Sequence, residues 1–183
     1  MRRTPPAALS PSPAALPQAP FDAEQAQLLA QRLHRGQLEP IGTPLIAHVR
    51  RVALASPEFA RPVAWLHEVL EWTSVTEQKL LAIGVSDDEL RALRLLNRSA
   101  ARGSRDGYLA HIEMIARAHG PAGRLARSVK LADLQDRLRH DHRQADGSRL
   151  PYEQALELIL AALTTSTLEL PRAAYNSRAP GAA

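Results

Sequence analysis

The 183-residue chain contains no cysteine, so no disulfide can staple it and no thiolate can bind a metal. Aromatic residues are scarce, and no stretch alternates β-branched or aromatic residues with period two, so strands are not expected. No apolar run approaches the roughly 18–20 residues needed to cross a bilayer. The basic start, Met1-Arg2-Arg3, leads into prolines that interrupt any apolar segment, which argues against a secretory signal. A cytoplasmic protein that engages no membrane is expected. There is no repeat of solenoid period, no glycine-rich phosphate loop and no Ser-His-Asp arrangement. Lysine is nearly absent (Lys79 and Lys130), and arginine supplies the other basic charges. The formal charge of +4 lies at the ends: Arg2, Arg3, Arg172 and Arg178 sit in segments without an acid. The remaining body is neutral and gives little general attraction to a polyanion, so a nucleic-acid partner is not expected.

What is present reads as one all-α domain of ordinary size, over 21–170. Residues 1–20 carry six prolines and small side chains. With too little apolar bulk to offset ordering entropy, they are expected to be a disordered tail, as is 171–183. Asp22 with Gln25 forms a capping pattern for a first helix, whose apolar face would be Leu28, Leu29 and Leu33. Pro44 opens a second helix carrying Leu45, His48, Val49 and Val52. Pro62 opens a third, through Val63, Leu66, Val69 and Leu70. A short fourth begins at Ser74 or Thr76 and stops at Gly84. Ser86 with Glu89 caps a fifth through Leu90, Leu93 and Leu96. Helices follow over 108–119 and 122–139, and a last one after Pro151 carries Leu156, Ile159, Leu160 and Leu163. Trp65 and Trp72 read as core residues.

Histidines and acids occur in an ordered series on these helices: His48, then His67-Glu68, then Asp133. Nitrogen and oxygen ligands from different elements are what a divalent ion needs, and two histidines with two carboxylates suit manganese or a similar first-row ion. Taken singly, each histidine is more simply a packed or solvated helix residue. His140-Asp141-His142 is a further candidate, in a charged segment that most simply faces water. Arg91, Arg94, Arg98, Arg102 and Arg105 recur every three or four residues. They would form a phosphate-binding stripe, or a solvated face, if one helix ran through them. Gly103 is expected to break it.

The words around the series carry a resemblance: His34-Arg-Gly-Gln37, Gly42-Thr-Pro-Leu-Ile-Ala-His48, Ala64-Trp-Leu-His-Glu-Val-Leu-Glu-Trp-Thr73 and Lys130-Leu-Ala-Asp133. Over about residues 22–140 the chain resembles the HD-domain metal phosphohydrolases. The RelA/SpoT-type alarmone hydrolase domain and its small single-domain relatives are the nearest in pattern. The resemblance implies an HD-type helical bundle and metal ligation by His48, His67, Glu68 and Asp133. It also implies a catalytic carboxylate at Glu71 and a position near the site for Lys130; Arg98, from the arginine series, is the candidate phosphate contact beside it. The implied activity is metal-dependent hydrolysis of a nucleotide or other phosphorylated small molecule, with guanosine 3′,5′-bis(diphosphate) the named substrate. Four departures separate the chain from the family pattern. Glu68 stands where the family has aspartate, Trp72 where it has a second catalytic carboxylate, and Arg137 where it usually has asparagine. The basic nucleotide-binding loop is here Glu39-Pro40-Ile41, with Leu45 in place of tyrosine. The alternative is therefore a catalytically degenerate HD domain that binds a nucleotide or a protein partner.

Overall fold

Helices begin where a short polar side chain can accept the otherwise unpaired amides of a first turn. In the computed structural model Asp22 Oδ1 accepts the Gln25 amide at 2.8 Å, and the Asp22 amide donates back to Gln25 Oε1 at 3.1 Å. Ser86 and Glu89 form the second such reciprocal pair. Thr76 and Ser104 cap the helices that follow them. The structure describes residues 21–98, 104–140 and 150–168. The two expected tails, Arg102, Gly103, His142 and the loop 141–149 lie outside the described residues.

Among the described residues the elements are α1 (Ala23–Leu33), α2 (Leu45–Ala55), a 3-10 turn (Glu58–Ala60), α3 (Arg61–Leu66), α4 (Val69–Trp72), α5 (Glu77–Ala82), α6 (Asp87–Leu96), α7 (Arg105–Arg117), α8 (Gly120–Arg139) and α9 (Tyr152–Leu168). No strand occurs among them beyond an isolated bridge between Leu38 and Pro44, which sets the turn into α2. The architecture is an all-α bundle. α8, the longest helix among the described residues, is its axis and packs against α2, α6, α7 and α9; α1 lies on α3, and α3 on α2. The core runs through Val49, Val52, Leu66, Leu80, Leu93, Ile112, Ile115, Leu134 and Ile159, all fully buried. None of the helices is long and apolar enough to cross a membrane.

Among the described glycines, Gly123 has the tightest surroundings. A Cβ built there would lie 2.2 Å from the Ala118 carbonyl oxygen, so the first turn of α8 can fold against the end of α7 only without a side chain. Arg127 donates to that same carbonyl.

The structure corrects several expectations. The third helix is broken: α3 ends at Leu66 and α4 starts at Val69, with His67 and Glu68 forming the step between them. The His67 Nδ1–H donates to the Ala64 carbonyl at 2.7 Å, the oxygen an unbroken helix would pair with the Glu68 amide, so a side chain takes over a backbone bond. Leu28 is exposed, and α1 meets α3 through Ala26 and Ala30, which allow a closer approach than leucines would. Leu160 is exposed too, because α9 turns Tyr152, Ala155 and Ile159 inward. Trp65 is core but Trp72 is 40% exposed. The arginine series is interrupted as expected but earlier than Gly103: α6 stops at Leu96 and the backbone is extended at Asn97. Arg91 pairs with Asp88, Arg94 with Glu77, and Arg105 with Gln154.

Candidate metal centre

α2 and α8 pack so that His48 faces Asp133 and Asp136, residues 85 and more positions later in the chain. The α3–α4 step brings His67 and Glu68 onto the same point. His48, His67, Glu68 and Asp133 are all buried, and each offers one ligand atom within 4.8 Å of the others. His48 Nε2 lies 3.4 Å from His67 Nε2, 3.3 Å from Asp133 Oδ1 and 3.6 Å from Glu68 Oε1, and His67 Nε2 lies 3.5 Å from Glu68 Oε1. Donors about 2.1 Å from a common centre in tetrahedral order are separated by roughly 3.4 Å, so these edges match a first-row ion.

The imidazoles are oriented for the task. The His48 Nδ1–H donates to Asp136 Oδ2 at 2.7 Å, and the His67 Nδ1–H to the Ala64 carbonyl at 2.7 Å. Both partners are acceptors only, so Nδ1 carries the hydrogen and each Nε2 is turned into the cluster. This carboxylate or carbonyl support is how proteins fix metal-binding imidazoles. Asp136 is itself held by Arg51, through Nε at 2.6 Å and Nη2 at 3.0 Å. The donor set thus fits a divalent ion in kind, spacing and support.

Cations crowd the same place. Arg137 donates from Nε to Asp133 Oδ1 at 2.6 Å and from Nη2 to Glu68 Oε1 at 2.6 Å, and its Nη2 lies 3.3 Å from His48 Nε2. Lys130 Nζ donates to Asp133 Oδ2 at 2.7 Å. Burial pushes the Asp133 carboxyl up, but the charges of Arg137 and Lys130 and the bond to His48 hold it well below the usual range. Glu68 is likewise held low against burial by bonds to His48 and His67 and by the Arg137 charge. For His48, burial and Arg137 favour the neutral ring. The bonds to Asp133, Asp136 and Glu68 together outweigh them and raise it to about 10.

A cavity of about 40 Å³ adjoins the cluster, lined by His67, Glu68, Glu71, Arg98, Lys130 and Arg137, with Trp72, Tyr108 and Tyr152 among its other walls. It admits a few waters at most, so a nucleotide could enter only with movement of these side chains. Glu71 meets Arg98 there, with Oε2 accepting the Arg98 amide at 3.3 Å and Oε1 lying 3.7 Å from Nη2. The Arg98 guanidinium also lies 5.7 Å from the centre of the Tyr108 ring. His48, His67, Glu68, Asp133, Glu71, Lys130 and Arg98 are therefore gathered at one place, while Arg91, Arg94 and Arg105 pair elsewhere. A larger groove of about 730 Å³, beside Phe59, Arg124 and Leu131, has no histidine or carboxylate among the described residues that line it.

Sequence reasoning missed Asp136 and Arg51. Their signal was present as a second aspartate three residues after Asp133 and an arginine three after His48, but only packing brings them together. Sequence reasoning placed His34 in a motif without giving it a role; the residue is fully buried. Its Nδ1 meets Gln37 Oε1 at 2.7 Å and its Nε2 has no hydrogen-bond partner among the described residues. Burial lowers its pKa. Of the candidate His140-Asp141-His142 only His140 is among the described residues, and its Nδ1–H donates to the Asp136 carbonyl at 2.9 Å. Compared with known proteins, the chain matches no protein-family model and no curated protein.

Proposed function

We propose that the protein is a divalent-metal-dependent phosphohydrolase of the HD type acting on a nucleotide, with manganese the favoured ion. Guanosine 3′,5′-bis(diphosphate) or its pentaphosphate counterpart is the leading substrate, and cleavage of its 3′-pyrophosphate by water the leading reaction. The observation that carries the reading is the convergence of two imidazole Nε2 atoms and two carboxylates at 3.3–3.6 Å, each imidazole fixed by its own Nδ1 partner. His48, His67, Glu68 and Asp133 would hold the ion, which supplies Lewis-acid polarisation of a phosphoryl oxygen. Glu71, on the cavity wall, orients the attacking water and accepts its proton. Arg98 and Lys130 face the same cavity and neutralise phosphate charge. The test is release of pyrophosphate from guanosine tetraphosphate by the metal-stripped protein with manganese restored. Turnover that needs the ion, disappears in His67→Ala and survives in Glu68→Asp is expected. Undiminished turnover in His67→Ala would sink the mechanism.

A second reading is supported by Trp72, whose indole cannot accept a proton yet stands half-exposed on the cavity wall. In that reading the domain binds a nucleotide without hydrolysing it. Tight nucleotide binding in the presence of a chelator, with no product over hours, favours it over the first.

A further inference from the structure

Three of the four donor atoms that would face a divalent ion face a guanidinium instead. Arg137 reaches Asp133 Oδ1 and Glu68 Oε1 at 2.6 Å and lies 3.3 Å from His48 Nε2. We propose that Arg137 is the resident cation of the centre, and that a divalent ion enters only in exchange for its guanidinium. The inference rests on the reading of His48, His67, Glu68 and Asp133 as metal ligands.

Charge balance is the first argument. Glu68 and Asp133 bring two negative charges to the buried centre, and Arg137 with Lys130 brings two positive ones at contact distance. A divalent ion added without release of a resident cation would add two positive charges to a place 1–7% exposed at Glu68 and Asp133, where water screens them poorly. Arg137 is the cation able to leave. Arg137 and Lys130 both line the cavity, but the Arg137 side chain is the more exposed, 19% against 9% for Lys130, which is held by Asp133 Oδ2.

Donor capacity is the second. A carboxylate oxygen or imidazole nitrogen directed at an N–H is not directed at an ion, and the guanidinium spans Glu68 and Asp133 with two separate nitrogens. Ion entry therefore breaks two short charge-assisted bonds. The adjoining cavity, which Arg98 and Tyr152 also line, is where the displaced group would meet a phosphate-bearing ligand once the side chains around it move. An anionic ligand that draws Arg137 outward then favours the ion, and the ion favours the ligand, by linkage.

The test is calorimetric titration of manganese into the metal-stripped full chain, comparing wild type with R137N, R137Q and R137K, together with melting temperatures in chelator and in excess manganese. The neutral variants are expected to bind manganese at least tenfold more tightly than wild type. They should also melt lower in chelator and recover when the ion is added, while R137K stays near wild type in affinity. Neutral variants that bind manganese no more tightly than wild type overturn the exchange and leave the ligand assignment standing. Absence of binding in wild type and in every neutral variant that folds removes the ligand assignment, and the exchange with it. A neutral variant that folds only when manganese is present supports the exchange directly.

Discussion

Asp136 offers the most informative perturbation, because it touches the proposed ion only through His48. Its carboxylate accepts the His48 Nδ1–H at 2.7 Å and is gripped by Arg51 at 2.6 and 3.0 Å. In Asp136→Ala the buried imidazole loses the partner of its Nδ1–H, a penalty of about 1–3 kcal/mol. Arg51 is 35% exposed and regains water, so its share is small. The total should be about 2–3 kcal/mol, a fall in melting temperature of roughly 5–10 °C for a domain of this size. Loss of support for a metal-binding imidazole should also weaken manganese binding about 10- to 100-fold. Asp136→Asn keeps an oxygen that can accept the Nδ1–H and should lose less than half as much on both measures. Urea denaturation followed by fluorescence, with and without manganese, reads the first quantity, and calorimetry the second. A loss below about 0.5 kcal/mol in Asp136→Ala, with manganese affinity unchanged, would refute the reasoning.

Acid sensitivity should arise partly at His111, which is buried and whose Nε2 has no hydrogen-bond partner among the described residues. Burial, aided by the charges of Lys130 and Arg98, lowers it to about 4 from an ordinary value near 6.5. Since the unfolded chain takes up the proton first, its contribution is full above pH 6.5 and falls away as pH drops toward 4, by at most about 3 kcal/mol. Stability measured at pH 7 and pH 4.5 should differ less in His111→Gln than in wild type, and an equal difference would dismiss the claim. Gly123→Ala should destabilise by about 2–4 kcal/mol, because its Cβ would meet the Ala118 carbonyl at 2.2 Å; a neutral result in thermal melting would show that α7 and α8 can part at no cost.

Much of the fold was legible in the sequence because the signals are local. The Asp22–Gln25 and Ser86–Glu89 boxes, the buried face of Leu45, His48, Val49 and Val52, and the stop at Gly84 depend on residues within about four positions of each other. The candidate ligands could also be named from residue type and order, and they do converge. Tertiary packing decided the rest. Whether a leucine is buried depends on what lies against it, so Leu28 faces water while the alanines beside it meet α3. The break at His67 follows from an imidazole taking a carbonyl that helical periodicity would give to the backbone. Trp72 stands at a cavity instead of in the core, for the same kind of reason. The support of His48 by Asp136, and the seat of Arg137 among Glu68, Asp133 and His48, join residues up to 89 positions apart. No local spacing encodes such a meeting. The sequence by itself determined the helices and the kinds of ligand. Only the packing of α2 and the α3–α4 step against α8 decided that Arg137 meets Glu68, Asp133 and His48, since the charge of a buried cluster depends on every group that the fold brings within reach.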